Sequence, residues 1–175
     1  SSFGSASDAI IYELHVRDLT IGPENGITHK GKFLGLTEAG TRTAAGNLSG
    51  LDYIASLGVT HVQLLPVFDF GSVDETGDLR FGAQYNWGYD PVHYNVPEGS
   101  YATDPTDPTS RIQEFRQLVD AFHARGIRVI MDVVYNHVYD VADSPLGRTV
   151  PGYYFRMRPD GGFYNGTACG NETAS

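Results

Sequence analysis

The chain has 175 residues, a hydrophobic fraction of 41%, a formal net charge of -9 and one cysteine. The negative field argues against nucleic-acid and anionic-membrane partners, and a lone Cys169 excludes an internal disulfide and a cysteine-rich metal site; the length suits one domain with a sizeable core. No apolar run approaches a membrane span and Ser1-Ser2-Phe3-Gly4 lacks the features of a signal peptide, so the compartment, secreted or cytoplasmic, stays open.

In chain order, residues 9–17 have the β-branched and aromatic content of a strand, with Ile11, Leu14 and Val16 as core. Residues 20–46 form a long Gly- and Thr-rich connection whose one apolar patch is Gly31–Leu36; connections of this length often belong to binding faces. Ser49 and Asp52 make a capping-box pattern, Leu48, Leu51, Ile54 and Leu57 follow helical spacing, and Gly58 supplies a stop before a buried strand over 59–67.

Residues 68–109 read as a loop that carries Gln84-Tyr85-Asn86-Trp87-Gly88-Tyr89-Asp90-Pro91-Val92-His93-Tyr94. A second capping-box pattern, Ser110 with Gln113, opens a helix with Ile112, Phe115, Leu118, Val119 and Phe122 on one face and Gly126 at its end. The following run, Ile127 to His137, is apolar and β-branched without strict alternation, which fits a strand buried on both faces with Ile130 in the core.

A helix closed by glycine and followed at once by an apolar strand occurs twice. This is a repeated α/β unit, and three strands with two helices make a parallel sheet fragment with right-handed crossovers. Ligands of such sheets bind beyond the carboxyl ends of the strands, so Asp132, Asn136 and His137 share a face with the 68–109 loop. Trp87 and Tyr89 are flat apolar platforms, and Asp90 and His137 supply directional hydrogen bonds, a combination that suits a sugar ring. Two plainer readings stay open from the residues alone: a loop with its own aromatic core, and polar groups that only satisfy each other.

The stretch Asp132-Val133-Val134-Tyr135-Asn136-His137 resembles the first signature region of the α-amylase superfamily of glycoside hydrolases. Tyr85-Asn86-Trp87-Gly88-Tyr89-Asp90-Pro91 is similar to the type I pullulanase-like debranching branch of that family. The resemblance implies an α/β fold, a partial (β/α)8 TIM barrel covering about the first three β/α units, with residues 1–175 its N-terminal portion and 138–175 the irregular inserted region after the third strand. It implies retaining hydrolysis of α-1,6 branch linkages in pullulan, amylopectin or limit dextrins, with an α-glucan and the remainder of the barrel as partners.

On the same resemblance, Tyr89 stacks on the sugar beside the scissile bond, Asp90 and His137 hydrogen-bond it, Asp132 supports the site, and Trp87 joins the substrate contacts. Asn136 matches a position that binds calcium in many amylases; the sequence itself requires no cofactor and offers no metal cage. The family's nucleophilic Asp, acid/base Glu and further Asp follow the fourth, fifth and seventh strands, and none of those motifs occurs here, so no catalytic residue is assigned. Alternatives are a non-catalytic α-glucan-binding domain, or part of a related α-amylase, isoamylase or branching enzyme.

Overall fold

A computed structural model describes residues 4–174. Its main sheet is α/β in character: β1 (Ile11–Leu14), β2 (His61–Leu64) and β5 (Arg128–Met131) run parallel in that spatial order. Register sets Tyr12, Val62 and Val129 side by side and, two residues on, Leu14, Leu64 and Met131. Both rows join the core with Leu51 and Ile54 of α2 (Gly50–Ser56) and Leu118 and Phe122 of α3 (Pro108–Ala124).

Side chains alternate across a strand, so Glu13, Gln63 and Ile130 share the opposite face. That face is the less covered one: Ile11 is 50% exposed, and no residue of β5 is fully buried. This corrects two sequence expectations. β5 is not buried on both faces and Ile130 is not core, because the helices pack against one side of the sheet only. Ile11 likewise leaves the core, while Val16 stays buried but opens a short helix, α1 (Val16–Ile21), instead of ending the strand.

Neither expected capping box forms. Ser49 heads α2, but its hydroxyl donates to the Asn25 carbonyl at 2.6 Å, and Asp52 pairs with Arg125. For α3, Asp107 accepts from Thr109 N–H at 2.8 Å and Pro108 presets the first turn, so the helix starts before Ser110. Gly126 ends α3 at φ 72°, as the sequence indicates.

The 20–46 connection is less open than its composition suggests. Phe33 and Leu36 are fully buried, and the Phe33 ring meets Phe115 of α3 at 5.3 Å and Tyr101 at 5.4 Å. Residues 68–109 are not a simple loop either. β3 (Phe68–Phe70) and β4 (Pro91–Pro97) form an irregular antiparallel hairpin, and its long connection carries the aromatic motif. A short helix, α4 (Pro145–Thr149), and isolated bridges such as Phe155 with Thr173 punctuate the irregular C-terminal stretch. Among the described residues no helix is long and apolar enough to cross a membrane.

Leu118 is fully buried and Ile130 faces the open side of the sheet. Leu118→Ala therefore lowers unfolding free energy by about 2–5 kcal/mol, whereas Ile130→Ala costs under about 1 kcal/mol. Urea unfolding of the two variants checks this, and equal losses would refute the one-sided core.

Candidate functional site

The three parallel strands release the chain at one edge. Leu65 N–H donates to the Leu14 carbonyl at 2.9 Å and Asp132 N–H to the Leu64 carbonyl at 3.0 Å, so the ladder runs one step past each strand. This fixes Asp132 at the sheet's carboxyl edge, where it accepts the Tyr89 hydroxyl at 2.7 Å. Burial and the neighbouring Asp132 carboxylate push the Tyr89 hydroxyl up to about 12, so it stays protonated and donating throughout the neutral range.

The loop that delivers Tyr89 is organised by Asn86. Its side-chain oxygen accepts Gly88 N–H at 2.8 Å, and its amide group donates to the Gly71 carbonyl at 2.6 Å and to Asp90 Oδ1 at 2.8 Å. Gly71 N–H returns a bond to the Asp90 carbonyl at 3.0 Å, and the Ser72 hydroxyl reaches Asp90 Oδ2 at 3.1 Å. Gly88 sits at φ 91°, and a Cβ there would stand 2.6 Å from the Pro66 carbonyl oxygen, so only glycine fits. Burial raises the Asp90 carboxyl against the lowering effect of the Asn86 and Ser72 bonds.

His137 is buried, and its Nε2 donates to the Tyr89 carbonyl at 2.8 Å while Nδ1 lies 2.5 Å from Asn136 Oδ1. Its own carbonyl accepts the Tyr94 hydroxyl at 2.6 Å. The imidazole thus braces the loop from beneath. Trp87, 57% exposed, stands outward beside Tyr85 with ring centroids 6.5 Å apart. Tyr85, Asn86, Trp87, Tyr89 and Asp90 line one open depression. The structure therefore joins Tyr89, Asp132 and His137 through direct contacts, with Asp90 next in the chain and held by Asn86 and Ser72, and Trp87 on the rim.

Asn86 was not singled out by sequence, although Asn-x-Gly is a recognisable turn signal. Asn136 turns its side-chain oxygen to His137, and its carbonyl accepts Thr173 N–H at 3.0 Å.

Beneath the hairpin lies a group of three carboxylates, Asp69, Glu75 and Glu98, with oxygens within 4.8 Å of one another. They are structural rather than reactive. Glu75 accepts a forked pair of bonds from Arg111 at 2.7 and 3.1 Å, Asp69 pairs with His93, and Glu98 is fully buried, accepting Phe70 N–H at 3.0 Å and Ser100 N–H at 2.8 Å. Burial pushes Glu98 up to about 7, against the pull of those backbone donors.

Comparison with known proteins follows the same motifs. The family model described as alpha amylase, catalytic domain, matches residues 31–144. A pullulanase of Bacillus subtilis (strain 168) is 52% identical over 173 residues, covering 99% of this chain and 24% of the relative. The chloroplastic pullulanase 1 of Arabidopsis thaliana is 39% identical, covering 98% of this chain and 20% of the relative. The crystal structure of a Paenibacillus barengoltzii pullulanase in complex with maltohexaose and alpha-cyclodextrin superposes with TM-score 0.94 at 58% identity, over 99% of this chain and 27% of that one. The chain thus spans about a quarter of the length of the relatives it matches.

Glu98 gives a pH signature. Its folded value near 7 lies above the ordinary 4.5, so the folded state binds the proton more tightly and this group's contribution is greatest below pH 4.5 and declines as pH rises through 7. The loss is on the order of 3 kcal/mol. Glu98→Gln, which cannot ionise, is the less stable protein at pH 5 because its amide NH2 meets a backbone donor, and its deficit shrinks toward pH 8. Urea midpoints at the two pH values check this; a constant deficit counts against a titrating Glu98.

Proposed function

We propose that this chain, which belongs to the α-amylase family of catalytic domains, forms the first three β/α units of a (β/α)8 barrel that hydrolyses α-1,6-glucosidic branch linkages in pullulan, amylopectin or limit dextrins with retention. In this reading residues 1–175 are the N-terminal portion of the catalytic domain, and 138–175 belong to the region inserted after the third strand. The observation that carries it is the Tyr89 ring, 39% exposed at the carboxyl edge of a parallel sheet, with its hydroxyl held by Asp132 and its carbonyl by His137. The pullulanases it resembles, one solved with maltohexaose and alpha-cyclodextrin, support an α-glucan as the ligand.

Each residue then has a physical task. Tyr89 offers its ring face to the C-H face of a glucose unit, and Asp132 anchors the far end of the side chain by accepting its hydroxyl. Asp90 is fixed by Asn86 and Ser72 with acceptor capacity left for sugar hydroxyls. His137 sets the height of the Tyr89 backbone, and Trp87 supplies apolar area at the rim. The attacking and proton-donating carboxyl groups, roughly 5 Å apart in a retaining glycosidase, come from strands beyond the third. The Asp69, Glu75 and Glu98 group does not substitute for them, being buried or neutralised by His93 and Arg111.

The test is reducing-sugar release by the complete enzyme from pullulan and from unbranched amylose. Cleavage of pullulan with amylose left intact is the expected result; cleavage of amylose alone would overturn the linkage, and binding of maltooligosaccharides without any cleavage would make this a binding domain. Tyr89→Ala lowers kcat/KM on pullulan about 10- to 100-fold, a loss of about 1.4–2.7 kcal/mol in transition-state binding. His137→Ala lowers kcat and, because the ring is buried and braces the loop, also lowers the unfolding midpoint; an unaltered kcat would remove His137 from the site.

A further inference from the structure

Trp87 is more than half exposed, yet its indole is not free to turn. Its N–H donates to the Tyr85 hydroxyl, which in turn donates to Asp18 Oδ2 at 3.0 Å. Asp18 stands in the first turn of α1, next to His15 at the exit of β1. His15 is buried, its Nε2 bonded at 2.8 Å to the hydroxyl of Tyr101, a core residue. His15 Nδ1 lies 3.3 Å from Asp18 Oδ2, within ion-pair reach but outside hydrogen-bond geometry.

The rings pack along the same line. His15 meets Tyr85 edge-on at 5.7 Å and Tyr101 at 6.0 Å, and the Arg17 guanidinium lies 5.6 Å from the centre of the Tyr85 ring. A phenolic hydroxyl both accepts and donates, so Tyr85 accepts the indole N–H bond while donating its own to Asp18. The exposed indole is thereby referenced to the protein core through residues that lie far from it in sequence.

We infer that Asp18 and Tyr85 are positioning residues that hold Trp87 as a second aromatic platform for an α-glucan, beside the Tyr89 platform and across the same depression. This rests on the α-glucan reading above. An indole fixed before binding loses little rotamer entropy when a sugar stacks on it, whereas a loose one must be ordered by the ligand. The pair therefore governs affinity for substrates long enough to span both rings and leaves the bond-breaking step alone.

The experiment compares Asp18→Ala, Tyr85→Phe, Trp87→Ala and the double variant Asp18→Ala with Trp87→Ala in the complete enzyme. Each single change raises KM for pullulan about fivefold or more with kcat held within about twofold. The double variant is no worse than Trp87→Ala alone, because Asp18 acts only through the indole. Unchanged KM, or losses that multiply in the double variant, overturns the inference. Tyr85→Phe keeps the ring packing, so it decides the matter if Asp18→Ala weakens α1.

A separate measurement does not depend on the substrate. In the complete enzyme the difference in emission between the parent and Trp87→Phe isolates the Trp87 signal, so iodide quenching of that difference reads how firmly the indole is held. Quenching rises in Tyr85→Phe; equal quenching overturns the positioning. Failure of the wild-type enzyme to cleave any α-glucan would instead strike the functional reading and leave the quenching result to stand for itself.

Discussion

The hydrogen bond from Asp132 N–H to the Leu64 carbonyl, one residue past the last paired rung of β5, is the contact on which the site is built. It carries the register of the sheet into the first residue of the outgoing loop. A slip of one residue would turn Asp132 to the other face of the sheet and leave the Tyr89 hydroxyl without its acceptor. A core made of Leu14, Leu64 and Met131 in one row prevents such a slip, so apolar packing beneath the sheet sets where a carboxylate stands above it.

The second half of the site arrives by a different route. The connection between β3 and β4 has few apolar anchors of its own and is ordered by polar contacts that converge on Gly71 and Asp90. Asn86 bonds to both, and the Tyr139 ring packs over Gly71 where any side chain would collide with it. The same hairpin is tied down from below by the buried Glu98, whose carboxylate holds Phe70 N–H one residue before Gly71. Placing an acid there has a thermodynamic cost, visible as its raised proton affinity, and the return is an acceptor for two backbone donors that would otherwise be buried unpaired.

Much of this was legible in the residues. The two Gly-closed helices, their following strands and the shared edge of Asp132 and the aromatic motif follow from periodicity and from the direction of parallel strands. Phe33 and Leu36 were harder, since a turn of glycines and charges hides two fully buried side chains. The β3–β4 hairpin escaped because β3 is three residues long and its register is interrupted, leaving no alternation to count. The capping boxes failed for separate reasons: the Ser49 hydroxyl turns to the Asn25 carbonyl while Asp52 turns to Arg125, and Ser110 lies inside a helix that Asp107 already caps.

The overestimated burial of β5 has the most instructive cause. A β-branched run without alternation reports that both faces are to be covered, and the helices cover only one of them here. The uncovered face is not ordinary surface. It places Ile11 and Ile130 beside Glu13 and Gln63, which bond to each other at 3.2 Å, and β1 and β5 each keep one unpaired edge. Among the described residues this face mixes apolar and hydrogen-bonding groups beside open strand edges, which further strands would complete in the barrel proposed above, and edges of this kind otherwise invite association. On the barrel proposed above, the same closure brings additional strand ends to the rim where Tyr89, Asp90 and Asp132 stand, and the pattern that misleads about burial in this chain then marks the side from which the proposed reacting groups would enter.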